Sequence, residues 1–182
     1  MPERQGTGSG LDRSKGSRHD CDHLPPGFTR RRARPRPPRL TLAPTGSAPA
    51  LLDAAWWPRS RHLDAELPAL AAVLDPLWGR ITRISVNPGQ WPLIPRKVLL
   101  TGHVVKVGWF RAEQDQHELL LFSYHMGRRN LLVVPPQTPS AQAAWLLAAA
   151  SDPTRTSTGG ALMAEAAHLG DAAETDRTVE AL

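Results

Sequence analysis

The sequence has little cysteine and no long run of apolar residues. Its single cysteine, Cys21, lies in a polar N-terminal stretch. This excludes an intrachain disulfide, and it excludes a cysteine nucleophile or thiolate metal site within a folded core. No stretch approaches the roughly 18 apolar residues that cross a bilayer, and the N-terminus lacks the apolar segment of a secretory signal. We therefore expect a cytoplasmic protein with no membrane segment, no cofactor and no functional metal.

Charge is distributed unevenly along the chain of 182 residues. Residues 1–38 carry nine Lys/Arg and four Asp/Glu, residues 39–151 carry eleven and seven, and residues 152–182 carry two and six. The first segment is rich in Gly, Ser, Arg and Pro and has almost nothing to bury. We predict a disordered basic tail over 1–38, a single compact α+β domain over 39–151, and a flexible acidic tail over 152–182.

Apolar spacing in the central segment predicts two main helices. The first has one apolar face, because leucines recur at steps of four and three residues over 63–77. The second covers 140–151 and contains no charged residue. A helix without a polar face is either buried or covered by another subunit. The charge-poor helices therefore also favour a homo-oligomer or a protein partner.

The strand-like runs are short and closely connected. They occupy 39–42, 80–86, 97–111, 118–125 and 130–134. The run 97–111 is either one strand bent at glycines or two strands, and the run 131–134 is apolar on both faces, as in a central strand covered on both sides. Short connections favour antiparallel pairing, so we predict an antiparallel sheet of about five strands.

Three segments carry a resemblance to a known family. They are Ala55 to Leu63 with its Trp-Trp-Pro-Arg-Ser-Arg string, Glu66 to Leu70, and Leu131 to Pro136. Together they resemble an actinobacterial family of uncharacterised proteins, domain of unknown function 5994, over about residues 39–150. The resemblance implies a compact α+β domain and supplies no activity, substrate or catalytic residue.

The richest cluster of functional side chains lies just before the first helix. Two tryptophans beside two arginines suit a small anionic ligand or a protein partner, because Arg grips carboxylate or phosphate and Trp and Arg dominate interfaces. We call this cluster the Trp/Arg loop, and its residues are Asp53, Trp56, Trp57, Arg59, Ser60 and Arg61. The alternative is structural: tryptophans in the core, Ser60 as a helix cap, and Arg59 and Arg61 paired with Asp53 and Asp64.

Catalytic and metal-binding patterns are weaker. Ser60, His62 and Asp64 supply the residue types of a hydrolase triad, but at spacings of two they point in different directions. The segment His19 to His23 holds several metal-ligand types in a tail with no scaffold to set their geometry.

Three classes of function stay open. A non-enzymatic binding or regulatory domain acting through the Trp/Arg loop ranks first, since no catalytic motif is found. Second is a nucleic-acid accessory protein whose Arg30–Arg36 run makes weak, non-specific phosphate contacts. A small enzyme with a shifted pKa at Asp53, Asp64 or His62 ranks third.

Overall fold

The computed structural model describes residues 36–44, 51–110 and 115–180, and the side chains of 36–44, 51–110 and 115–170. The predicted basic tail therefore lies almost entirely outside the described residues, and so does the His19–His23 group. The described elements, in chain order, are β1 (Arg39–Leu42), β2 (Ala54–Trp57), α1 (Leu63–Trp78), β3 (Ile81–Val86), β4 (Lys97–Leu100), β5 (His103–Trp109), β6 (Glu118–Ser123), β7 (Gly127–Val133), α2 (Ser140–Ala150) and α3 (Gly159–Glu180). None of the described helices is long and apolar enough to cross a membrane.

The strands form one mixed sheet of seven strands in the order β1-β2-β7-β6-β3-β5-β4. β2 pairs with β7, and β3 with β5, in parallel. The other neighbours are antiparallel. The α+β class is therefore confirmed, whereas the prediction of an antiparallel sheet of about five strands is wrong in both strand number and strand direction.

The error has two physical sources. β2 consists of Ala54-Ala55-Trp56-Trp57, and alanine favours helices, so this segment carries no strand pattern of its own. Short connections also specify only the pairing of neighbours in sequence, whereas β2 lies beside β7 from near the other end of the domain. The long run 97–111 is two strands, because Gly102 with φ of 86° turns β4 back on β5.

α1 packs on one face of the sheet and α2 with α3 on the other. β7 divides its side chains between the two cores: Leu131 and Val133 lie in the core with α1, and Leu132 and Val134 in the core with α2 and α3. The prediction of a strand covered on both faces is confirmed. α2 is buried against the sheet and α3, through Ala143, Leu146, Ala149 and Ala150.

α3 adds a third helix to the two main helices that the sequence predicts, within the segment expected to be a flexible tail, where only a weak helix over 161–169 is indicated by the sequence. It packs on α2, and its Leu162 and Ala166 are buried. Its first N–H groups are capped by carboxylates, since Asp115 Oδ2 accepts from Gly160 N at 2.7 Å. Whether residues 152–182 move stays a prediction.

Candidate functional site

Asp53 is held by residues of β7. Its Oδ1 accepts a hydrogen bond from Arg129 Nη1 at 2.6 Å, and its Oδ2 accepts one from Asn130 N at 2.8 Å. The carboxylate therefore ties the start of β2 to β7. Arg129, and neither arginine of the Trp/Arg loop, is its ion-pair partner within the described residues.

The two tryptophans of the loop point to opposite faces of the sheet. Trp56 is buried in the core beneath α1 and stacks on Trp91 with ring centroids 5.7 Å apart. Trp57 is half-buried on the other face, where the guanidinium of Arg39 lies 3.4 Å above its ring centre. Because β2 is a strand, successive side chains alternate, and the two rings do not form one aromatic wall.

The arginines of the loop donate to backbone carbonyls while remaining exposed. Arg59 Nη2 donates to Pro37 O at 3.1 Å. Arg61 Nε donates to Gln90 O at 2.8 Å, and its Nη2 donates to Gly89 O at 2.6 Å. Arg59 thus fastens the chain that enters β1, and Arg61 fastens the loop after β3.

Glu66 organises the rest of the loop. Ser60 Oγ donates to Glu66 Oε1 at 2.8 Å, and Arg59 N donates to Glu66 Oε2 at 3.2 Å. Burial, and secondarily the charge of Arg59, lowers the pKa of Arg39, while Glu66 opposes the shift. The structure therefore brings Arg59 and Ser60 together at Glu66 and leaves Asp53 and Trp56 elsewhere. The ligand site predicted at the Trp/Arg loop stays a prediction.

A second surface, which the sequence analysis did not identify, lies on the sheet itself. We call it the open face: the side of β3, β4, β5 and β6 that points away from α1. It forms a groove of about 690 Å³. Its lining combines four cations with three aromatic residues and contains no carboxylate among the described residues; the charged and aromatic members are Arg83, Arg96, Lys97, Lys106, Trp109, Phe110 and Phe122.

Strand register aligns the cations of the open face in one row. Phe122 of β6 pairs with Arg83 of β3, which pairs with Lys106 of β5, which pairs with Lys97 of β4. Phe122 also pairs with Arg128 of β7, so the row continues onto a fifth strand. The four cations of this row are all exposed: Arg83, Lys97, Lys106 and Arg128. None of the ion pairs formed within the described residues includes any of them.

Aromatic rings lie in and beside this row. Phe122 is half-buried within it. Trp109 and Phe110, at the end of β5, are 47% and 54% exposed. The Phe110 amide donates to Val86 O at 3.3 Å, which ties the backbone of that residue to the end of β3.

Two side chains near the start of α3 have shifted pKa values. Burial lowers the pKa of His117, against the opposing charge of Asp115. Burial raises the pKa of Glu118, against the hydrogen bond from Gly159 N. Glu118 and Asp115 accept hydrogen bonds from the first amides of α3, so the arrangement serves helix attachment, and neither His117 nor Glu118 is among the residues that line the groove.

Sequence reasoning missed the open face because its residues come from separate strands. Each strand shows only a cation at an outward position, as in the alternation of Val105, Lys106 and Val107, and this pattern is typical of any half-exposed strand. The row exists only when β3 and β5 lie parallel and in register. A signal was still present: the segment 39–151 has an excess of basic residues.

Comparison with known proteins gives one match. No curated protein and no solved structure matches the chain. Residues 39–150 match the Family of unknown function (DUF5994), and this range includes all seven described strands and the helices α1 and α2. Since the match covers more than half of the 182 residues, the resemblance noted in the sequence is confirmed, and the chain belongs to the Family of unknown function (DUF5994).

Proposed function

We propose that this protein is a non-enzymatic binding domain that holds a polyanionic ligand on its open face. The observation that carries this proposal is the row formed by Arg128, Phe122, Arg83, Lys106 and Lys97 across five neighbouring strands. None of the ion pairs among the described residues includes its cations, and Arg128 alone interacts electrostatically with a described carboxylate, that of Glu118. A ligand with several negative charges would supply ion-pair partners that the described part of the chain does not place against Arg83, Lys97 and Lys106.

Repulsion between the neighbouring cations of the row lowers the stability of the fold unless a bound anion offsets it. Neighbouring strands lie about 4.8 Å apart, and like charges directly opposite each other destabilise a sheet. Arg83 faces Lys106, and Lys106 faces Lys97. A solvated sheet face usually mixes charges of both signs, so a row of cations alone supports binding of an anion.

The composition of the groove supports binding rather than catalysis. Its lining residues include neither a carboxylate nor an imidazole among the described residues. General acid-base chemistry most often uses one of these groups. The side chains His117 and Glu118, whose pKa values are shifted, lie outside the groove lining.

Two matched double variants of the full chain test the proposal. Arg83→Gln with Lys106→Gln removes two cations from the open face, and Arg59→Gln with Arg61→Gln removes two from the Trp/Arg loop. The probe is inorganic polyphosphate, with binding measured by calorimetry at several salt concentrations. We expect the first variant to bind roughly tenfold more weakly. The slope of the logarithm of its binding constant against the logarithm of the salt concentration should be shallower by about 1.5. We expect the second variant to bind like the parent.

Other outcomes would favour other surfaces. Loss confined to the Arg59 and Arg61 variant would favour the Trp/Arg loop. If neither variant weakens binding but deletion of residues 1–38 abolishes it, the basic tail is the polyanion site and the proposal is wrong. Circular dichroism of each variant separates loss of binding from loss of folding.

A second candidate is a small anionic ligand at the Trp/Arg loop. It is favoured by a repulsive electrostatic interaction between the two guanidinium groups, since the charge of Arg59 contributes to the lowered pKa of Arg39. A carboxylate or phosphate beside both would relieve their repulsion. A thermal-shift screen of organic acids and nucleotides tests it, and a hit must disappear in Arg59→Ala with Arg61→Ala.

A further inference from the structure

The geometry points to a single-stranded nucleic acid as the polyanion of the open face, an inference that rests on the proposed function. Phosphates lie along the row of cations, and bases stack on Phe122 and Phe110. Aromatic rings interleaved with cations on an exposed sheet form a stacking platform, and stacking tolerates any base because each has a π-face.

The dimensions of the row fit a short stretch of such a strand. The row from Arg128 to Lys97 crosses five strands. At about 4.8 Å between neighbouring strands, it is roughly 19 Å long. At the roughly 3.4 Å per nucleotide of a fully stacked strand this length holds about five phosphates, and a more extended strand places fewer along it. Several cations therefore contact phosphate at the same time.

The aromatic residues separate a nucleic acid from a simple polyanion. Phe122 lies between Arg128 and Arg83 in the row, so a phosphate chain that follows the cations brings its bases next to that ring. Phe110 borders the same groove and is 54% exposed. A polyanion without planar groups leaves these rings in water, whereas a base covers them.

The shape of the open face favours a single strand over a duplex. Proteins read a duplex by placing a helix or a two-stranded ribbon into the major groove. The cations here lie on strands inside one sheet, between β7 and β4, and the groove is concave. The bases of a duplex are already stacked on each other and do not reach Phe122.

The test uses the full chain and two labelled oligonucleotides of roughly ten nucleotides, a length within the usual site sizes. One is oligothymidylate. The other is an abasic strand with the same number of phosphates. Fluorescence anisotropy measures both dissociation constants for the parent, for Phe110→Leu, for Phe122→Leu and for Arg83→Gln with Lys106→Gln.

The inference predicts that thymidylate binds more tightly than the abasic strand. Each leucine variant should weaken thymidylate binding by about five-fold or more and leave abasic binding unchanged, since one base stack is lost. The glutamine variant should weaken both. Phe110 is the more exposed of the two phenylalanines, so its variant tests stacking even if Phe122→Leu destabilises the sheet.

Three results would overturn the inference in distinguishable ways. If the parent binds thymidylate and the abasic strand equally well and the glutamine variant binds both more weakly, the open face binds polyanions but does not stack bases. A labelled duplex of the same length, measured with the parent in the same assay, tests the preference for a single strand, and an affinity equal to that for thymidylate removes that preference. If the glutamine variant binds both strands like the parent, the proposed function and this inference fail together.

Discussion

Replacing Asp53 with alanine should destabilise the domain without changing polyanion binding. The change removes two hydrogen bonds, from Arg129 Nη1 at 2.6 Å and from Asn130 N at 2.8 Å. Because both donors bind the Asp53 carboxylate, each bond is one to a charged group and contributes about 1.5 to 3 kcal/mol. About a quarter of each charged side chain is exposed, 25% for Asp53 and 28% for Arg129, so the lower end applies.

The expected loss is therefore about 3 kcal/mol, or roughly 10 °C in melting temperature for a domain of this size. Urea denaturation gives the free energy of unfolding, and a double-mutant cycle with Arg129→Gln isolates the pair. Asp64→Ala is the control, because Asp64 is exposed in the first turn of α1 and its loss should cost less than about 1 kcal/mol.

A cycle that finds no coupling between Asp53 and Arg129 would show that their ion pair does not stabilise the domain, contrary to this prediction. The prediction is also wrong if Asp53→Ala is as stable as the parent but binds a ligand more weakly. That second result would make Asp53 a binding residue, as the Trp/Arg loop hypothesis predicts.

The remaining predictions concern the two tryptophans and the half-buried His117. Trp56→Ala should cost about 3 to 5 kcal/mol of unfolding free energy, because the ring is fully buried against Trp91, whereas Trp57→Ala should cost less, because its ring is half-buried. Equal losses in urea denaturation would contradict their placement on opposite faces. Burial lowers the pKa of His117 below its ordinary 6.5, so the unfolded chain takes up the proton first and stability should fall as pH drops through that value. Burial raises the pKa of Glu118, so its contribution to stability changes in the opposite direction, increasing as pH drops toward about 4.5. From pH 7 down to pH 5, the melting temperature of His117→Gln should therefore fall less steeply than that of the parent. Identical slopes would contradict the lowered pKa of His117.

Local patterns predicted the elements better than they predicted their arrangement. The leucine spacing of 63–77 produced α1 (Leu63–Trp78), and the doubly apolar run of 131–134 produced the strand between the two cores. Both patterns report burial directly, since the period and sidedness of apolar residues decide which face can leave water. Parallel pairing of β2 with β7 carries no such local signature, because it depends on where α1 and the intervening strands place the chain.

The Trp/Arg loop shows the same limit for sites. Trp56 and Trp57 are neighbours in sequence, which suggested one aromatic pocket, but alternation in β2 sends one ring to each core. Arg59 and Arg61 look like anion ligands from their type alone. In the structure, carbonyls of Pro37, Gln90 and Gly89 already accept from them, and a guanidinium serves either partner equally well.

The open face follows from how the fold divides its two cores. α2 packs on β1 and β2, and α3 packs on α2, so the other half of that sheet face keeps its side chains toward solvent. A sheet face left open needs polar residues to stay soluble, and charges of either sign would satisfy that need. Here the aligned charges are all positive, from Arg128 through Arg83 and Lys106 to Lys97. Solubility explains why these positions are charged. It does not explain why neighbouring strands share one sign, and an anionic ligand does.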